Sequence, residues 1–352
     1  MNKLIALAFT ALPIAALADC EMTRYQRIQA SPHVTVFEAA EGTTAVVNGN
    51  ILAVVGTQAV LVVDTGQFPS IARRVVADIK SITPLPVRYV VNTHWHGDHL
   101  LANEVFAKAY PGVKFIAHSH TIEQGAKYYT DYATKSVKQI PIVIDQMRKQ
   151  LDEPRSDEEK LWIRKTLECA DAIIPELGET NYLAPDTPMD TEMSIDLGGV
   201  TAVVKHIGTG NTPGDLVVWV PADKLVASGD MVVSPTPYAI GSSLEPWVKT
   251  LGNLRALGAT VIVPGHGKVM RDDRYVRDLE ALLTATRIQL TALQAQGVSK
   301  KDAVGKLDVP EFRARYLDSP MRRESFRQFY EMAAIQQIWP KDPPPAPKAP
   351  AS

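Results

Sequence analysis

His94-Trp95-His96-Gly97-Asp98-His99 follows directly on the apolar run Val87-Arg88-Tyr89-Val90-Val91-Asn92-Thr93. The run reads as a strand buried on both faces. In extended chain, side chains two apart share a face, so His94 and His96 can grip one ion together while Trp95 points away. Gly97 lets the chain turn into a helix, and from its start Asp98 and His99 can face a second ion. Imidazole nitrogen and carboxylate oxygen are donors that zinc accepts.

A lone HxH pair is weak evidence, because histidines at strand ends are usually surface or core residues. Here other segments repeat the setting. Lys224 to Ser228 is a strand leading through Gly229 to Asp230. Thr260 to Pro264 is another, leading through Gly265 to His266 and Gly267. Asp64 ends the strand Leu61-Val62-Val63 and precedes Thr65-Gly66. Each polar group follows an apolar strand and sits beside glycine, so all could line one rim of a sandwich.

Further outward, His33 to Thr65 reads as short strands broken by Gly and Asn, including the stretch 43–50. Ser70 to Ile82 has helical spacing, and a helix is expected from Asp98 to about Tyr110, followed by the strand Lys114 to His118. From Thr121 to Glu179 the polar–apolar mixture predicts three inserted helices, with Ser156-Asp157-Glu158-Glu159 as a helix start. Strands resume at 201–207, 216–220 and 224–228. A helix over 245–257 and the strand 260–264 follow, then helices from Asp273 to Trp339. Two batches of strands with helices between and after them imply a mixed α/β (α+β) αββα sandwich, not a doubly wound sheet.

The ends and the composition set the class. Lys3, the apolar run Leu4 to Leu17 and the small-x-small site Ala16-Leu17-Ala18 read as a signal peptide over 1–18, and hence as a periplasmic or secreted protein. The run is too short to span a bilayer. Leu17-Ala18-Asp19-Cys20 resembles a lipoprotein box, but Asp19 sits where a small neutral residue belongs. The expected organisation is a sandwich domain over 19–272 with an insertion at about 121–179. A helical segment over 273–339 and a proline-rich disordered tail over 340–352 complete it. Thirty-seven Lys and Arg balance 39 Asp and Glu among 352 residues, which gives no reason to expect a nucleic-acid partner. Export permits a Cys20–Cys169 disulfide, though spacing alone does not establish one. Two cysteines cannot build a structural thiolate zinc site.

The motifs at 94–99, 228–230 (Ser-Gly-Asp), 264–267 (Pro-Gly-His-Gly) and 63–66 (Val-Asp-Thr-Gly), in this arrangement, resemble the metallo-β-lactamase superfamily over roughly residues 31–270. The resemblance implies that His94 and His96 hold a first metal, that Asp98, His99 and His266 hold a second, and that Asp230 bridges them. It makes Asp64 a residue that orients the ligands, and it implies one or two zinc ions. One departure stands out. The family's third histidine for the first metal falls in a turn that here reads Gly210-Asn211-Thr212-Pro213-Gly214-Asp215. Asn211 offers only a neutral amide oxygen, so the first site is expected to be the weaker. His206 could substitute, although packing on its strand is the plainer reading.

Of the remaining candidates, Tyr238 either borders the substrate cleft or is an ordinary loop aromatic. His118 and His120 read as capping or packing residues, and His33 suggests nothing. Arg313, Arg315, Arg322, Arg323 and Arg327 read as a solvated helix face. The expected activity is attack of metal-bound hydroxide on a small-molecule cyclic amide or ester, of β-lactam or lactone type, with Asp98 and Asp230 as catalytic carboxylates. Thioester or phosphoester hydrolysis is the alternative. A non-catalytic metal-binding accessory protein of a periplasmic redox or transport system is a third reading. No Gly-x-Ser-x-Gly elbow or phosphate-binding glycine loop supports other hydrolase classes.

Overall fold

The structure is a computed structural model and describes residues 24–40 and 47–339. The expected leader, Cys20, the tail from 340 onward and part of the expected strand 43–50 lie outside these residues.

Two sheets face each other. The first contains β1 (Tyr25–Ser31), β2 (Val34–Ala39), β3 (Ile51–Val55), β4 (Val60–Val63), β5 (Val87–Val91), β6 (Lys114–Ala117) and β7 (Thr187–Pro188), adjacent in chain order. Neighbours are antiparallel as far as β4 and parallel from β4 to β7. The second contains β8 (Glu192–Asp196), β9 (Thr201–Lys205), β10 (Val217–Val220), β11 (Leu225–Val233) and β12 (Val261–His266), again in chain order across the sheet. Here β11 and β12 are parallel and the other pairs antiparallel. The strand text did not reveal β1, β7 or β8, whose burial is only partial.

Strand alternation builds the layers. Leu61 and Val63 of β4 face inward, packing with Val36, Leu52, Val204, Val218 and Leu225 between the sheets. Val60 and Val62 face outward, beneath Ile71, Val75 and Ile79 of α1 (Pro69–Ile82). That double burial explains why β4 is wholly apolar.

The expected helix after β5 is broken into α2 (Gly97–Leu100) and α3 (Asn103–Ala109). Competing partners interrupt the ladder. Thr65 N–H and Asn92 Nδ2 both donate to the His99 carbonyl, and Ala102 N–H donates to Gly66. The insertion supplies the three expected helices, α4 (Ser119–Tyr129), α5 (Tyr132–Gln150) and α6 (Asp157–Leu177). A capping box between Ser156 and Glu159 starts α6.

On the second sheet's outer face lie α7 (Leu244–Ala256) and α8 (Arg274–Ala295), and the αββα sandwich is complete. The chain ends in shorter pieces, α9 (Lys300–Ala303), α10 (Arg313–Tyr316), α11 (Pro320–Ser325) and α12 (Met332–Ile338). Their arginines are not simply a solvated face. Arg323 pairs with Glu158, and Arg327 lies 3.0 Å from Glu159, which ties this segment to the start of α6. Buried Cys169 carries a disulfide. No helix among the described residues is long and apolar enough to cross a membrane.

Trp247 of α7 is fully buried against the second sheet, and its Nε1 donates to the Met231 carbonyl at 3.0 Å. Trp247→Ala should lower unfolding free energy by about 3–5 kcal/mol in urea denaturation.

Candidate metal centre

The carboxyl ends of β4, β5 and β12 meet the irregular middle of β11 at one rim, and each delivers a polar side chain there. β5 runs out through Thr93 to His94 and His96. The α2 turn adds Asp98 and His99, β11 carries Asp230, and β12 ends on His266. Asp230 is aimed by an irregularity, since β11 slips out of register with β12 on either side of Gly229. Gly229 has φ +51°, and a Cβ there would lie 2.6 Å from the Thr93 side chain. At Gly265 a Cβ would lie 1.9 Å from Asp230 Oδ1. Only glycines allow the two sheets to close this tightly around the carboxylate.

The donors converge in two groups, His94, His96 and Asp230 in one and Asp98, His99 and His266 in the other, with ligating atoms within 4.8 Å of one another in each. His94 Nε2 lies 3.0 Å from His96 Nδ1 and 3.7 Å from Asp230 Oδ2. His99 Nε2 lies 3.2 Å from His266 Nε2 and 3.2 Å from Asp230 Oδ1. His266 Nε2 is 2.9 Å from Asp98 Oδ2 and 3.5 Å from Asp230 Oδ1. Asp230 therefore touches both groups.

Hydrogen bonds fix which nitrogens face inward. Asp64, at φ 60°, accepts from Thr93 N–H at 2.8 Å, from Thr93 Oγ1 at 2.9 Å and from His99 Nδ1 at 2.8 Å. With its hydroxyl proton given to Asp64, Thr93 Oγ1 can accept from His94 Nδ1, 3.1 Å away. The Nε2 lone pairs of both rings are thereby turned into the cluster.

Burial drives the His94 and His96 imidazoles below their usual range, His94 well below, which leaves them neutral and ready to ligate. Burial opposes ionisation of Asp98 and Asp230, but His99 and His266 hold both well below the usual carboxylate range. In return the carboxylates outweigh burial at the rings, raising His99 well above its usual range and His266 to about 9. Cationic charge is thus demanded here, and a divalent ion would supply it while freeing the ring lone pairs. The donor set fits such an ion. Asn211 Oδ1, and Asp230 Oδ1 despite its close neighbours, are buried without a hydrogen bond, a costly state for polar atoms that no cation compensates.

A family model described as the metallo-beta-lactamase superfamily matches residues 44–266. The chain belongs to the metallo-beta-lactamase superfamily. Its relatives in this superfamily are diverse. A linear primary-alkylsulfatase of Pseudomonas sp. is 23% identical over 302 residues, 78% of this chain and 53% of the relative. The metallo-beta-lactamase IND-1 of Chryseobacterium indologenes is 36% identical over 92 residues, 24% of this chain and 38% of the relative. The chain thus spans about half the length, or less, of these curated relatives. Among solved structures, a metallo-beta-lactamase from Pontibacter korlensis superposes with a TM-score of 0.54 at 19% identity, over 74% of this chain and 99% of that one. At that identity the likeness concerns the fold. Membership of the superfamily accords with two donor groups that could hold metal ions.

Within that superfamily fold, the departure at Asn211 acquires a geometry. Asn211 is fully buried, and its Nδ2 donates to the Tyr238 carbonyl at 2.7 Å, leaving Oδ1 as the unpaired atom. Tyr238 itself is buried with its ring 5.2 Å from His266, so it borders the cluster. His206 stays outside: its Nδ1 contacts the Asp215 carbonyl and its ring packs on His118. His118 accepts from His120 N–H and so caps α4, while His33 pairs with Asp223.

Sequence reasoning missed the residues that hold the rim together. Asn50 N–H donates to Gly265, and its Nδ2 donates to Pro264 and Gly267 at 2.9 and 2.8 Å, which joins the sheets beside His266. Buried Asp215 accepts from Thr212 N–H and from Thr212 Oγ1 at 2.6 Å, shaping the Asn211 turn. An amide beside an apolar strand and an acid closing a glycine turn were the available signals.

Asn211→His should raise the zinc retained per protein molecule, measured by elemental analysis after dialysis. Burial pushes the Asp215 carboxyl up to about 7. The folded state then holds a proton that the unfolded chain releases near 3.8. This group's contribution is therefore complete below that value and lost as pH rises through about 7. In chelator-treated protein, Asp215→Asn should flatten the fall of stability between about pH 4 and 7, measured by urea midpoints.

Proposed function

We propose that the protein is an exported zinc-dependent hydrolase of small organic molecules, periplasmic or secreted, that opens a cyclic amide or ester of β-lactam or lactone type. The observation that carries this reading is the pair of three-donor groups buried side by side at one rim. Nitrogen and oxygen donors without thiolate suit zinc. His94, His96 and Asp230 would hold a first ion; Asp98, His99 and His266 would hold a second, with Asp230 between them. An amide at 211 in place of an imidazole makes the first site the looser. The leader-like residues 1–18 support export.

When bound, zinc lowers the pKa of water from about 15.7 to about 7 and polarises a substrate oxygen. The chain's own residues then divide the work. Asp98, with its side chain 12% exposed against 2% for Asp230, is the carboxylate open to an arriving nucleophile and can take its proton. Asp230, sealed within the cluster, orients. Asp64 keeps His99 in the tautomer that presents Nε2, and the Tyr238 ring closes the His266 side to water.

A second reading, cleavage of an organic sulfate ester, is favoured by one observation. The alkylsulfatase match runs over 78% of this chain, against 24% for the lactamase. Thioester or phosphoester hydrolysis uses the same donors. The zinc-loaded protein, given β-lactams, lactones, alkyl sulfates, thioesters and phosphodiesters with and without chelator, should open a lactam or lactone in a chelator-sensitive way. Cleavage of alkyl sulfates alone would establish the second reading. No turnover of any substrate at full zinc loading would make the protein a metal-binding accessory instead.

A further inference from the structure

Four of the six donors, His94, His99, Asp230 and His266, are sealed from solvent at 2% exposure or less. His96 and Asp98 retain partial exposure. A molecule approaching the ions must therefore come past these two, and the side chains flanking them are aromatic. Trp95, between the first two histidines, sets its ring 4.6 Å from His96. It stacks on Tyr128 at 4.8 Å with an interplanar angle of 15°. Tyr129 lies 6.4 Å from Trp95, and its hydroxyl sits beside Gly97. Both tyrosines come from the end of α4, so the insertion delivers them to the opening.

Tyr128 is 48% exposed. An apolar ring left in water beside a sealed polar cluster has surface available for a ligand, and stacking adds a directional preference. Lys127 Nζ, 5.4 Å from the Tyr128 centroid, sits on a flexible exposed side chain that can move aside. We propose that Trp95 and Tyr128 form the specificity wall of the site and receive an aromatic ring carried by the substrate next to its scissile bond. This inference rests on the metal reading above and narrows its substrate class to aryl-bearing molecules. Trp95 and Tyr128 touch the substrate's ring; the reacting atoms are left to Asp98 and the ions.

The test uses the full chain loaded with cobalt(II), whose visible absorption reports ligands at the metal. It compares acetohydroxamate with benzohydroxamate, which share a chelating head and differ in the ring. Both should perturb the spectrum, and benzohydroxamate should bind about tenfold tighter. Tyr128→Ala should abolish that preference without moving acetohydroxamate affinity, and Tyr128→Phe should keep it. Equal affinity for the two probes in the unmodified protein would overturn the wall while leaving the metal site standing. So would a preference that survives Tyr128→Ala. No spectral change with either probe would overturn the metal reading and the wall with it.

Discussion

One buried carboxylate holds the site's geometry. Asp64 sits in a backbone conformation that few side chains other than Asn and Asp tolerate. From there it reaches across the end of the first sheet to take three hydrogen bonds, two from Thr93 and one from His99. Those bonds join β4 to the chain leaving β5 and set the rings of His94 and His99 before any ion arrives. Each partner is buried at 2% exposure or less. Losing the carboxylate would strand buried donors at a cost of about 1–3 kcal/mol apiece, and the two rings would lose their orientation together.

The cluster that Asp64 organises is electrostatically unfinished. Asp98 and Asp230 are driven towards ionisation by imidazoles that burial would otherwise keep neutral. Such a balance survives in a low-dielectric setting only when opposite charges remain paired. Protons on His99 and His266 can provide that charge, but they occupy the lone pairs that face the centre. A divalent cation satisfies the same demand and uses those lone pairs, so the apolar sandwich around the rim and the ion-binding chemistry of the rim support each other.

The strong periodicities were legible. β4 is a continuous apolar run because both its faces are buried, whereas β5 leaves Arg88 exposed, and the chain beyond it bends at His94–Trp95 to bring the two histidine rings together. The convergence of the six side chains left a local trace at four of them: His96 and Asp98 flank Gly97, Asp230 follows Gly229, and His266 stands between Gly265 and Gly267. The parts that escaped depend on contacts distant in sequence. Nothing local breaks a helix at Leu101–Ala102; carbonyl and amide partners from Thr65, Gly66 and Asn92 do so. Asn50 and Asp215 carried only weak signals, because their partners lie over 200 residues away in one case and within a turn lacking any regular pattern in the other. Arg323 and Arg327 looked solvated because a helical stripe of cations carries no record of the acids opposite it.

Those arginines change how the additions to the sandwich are understood. Glu158 and Glu159 begin α6 in the insertion, and both are held by arginines of the C-terminal segment. A few residues further on, Phe329 packs against Trp162 of the insertion at 6.3 Å and against Tyr238 at 4.8 Å, and Tyr238 in turn lies against His266. Two segments remote in sequence therefore meet over the His266 side of the centre, while the insertion's other end supplies Tyr128 and Tyr129 on the His96 side. The sandwich fixes where the donors stand. The insertion and the C-terminal segment pack around that rim from two sides, so they can vary without altering any of the six side chains.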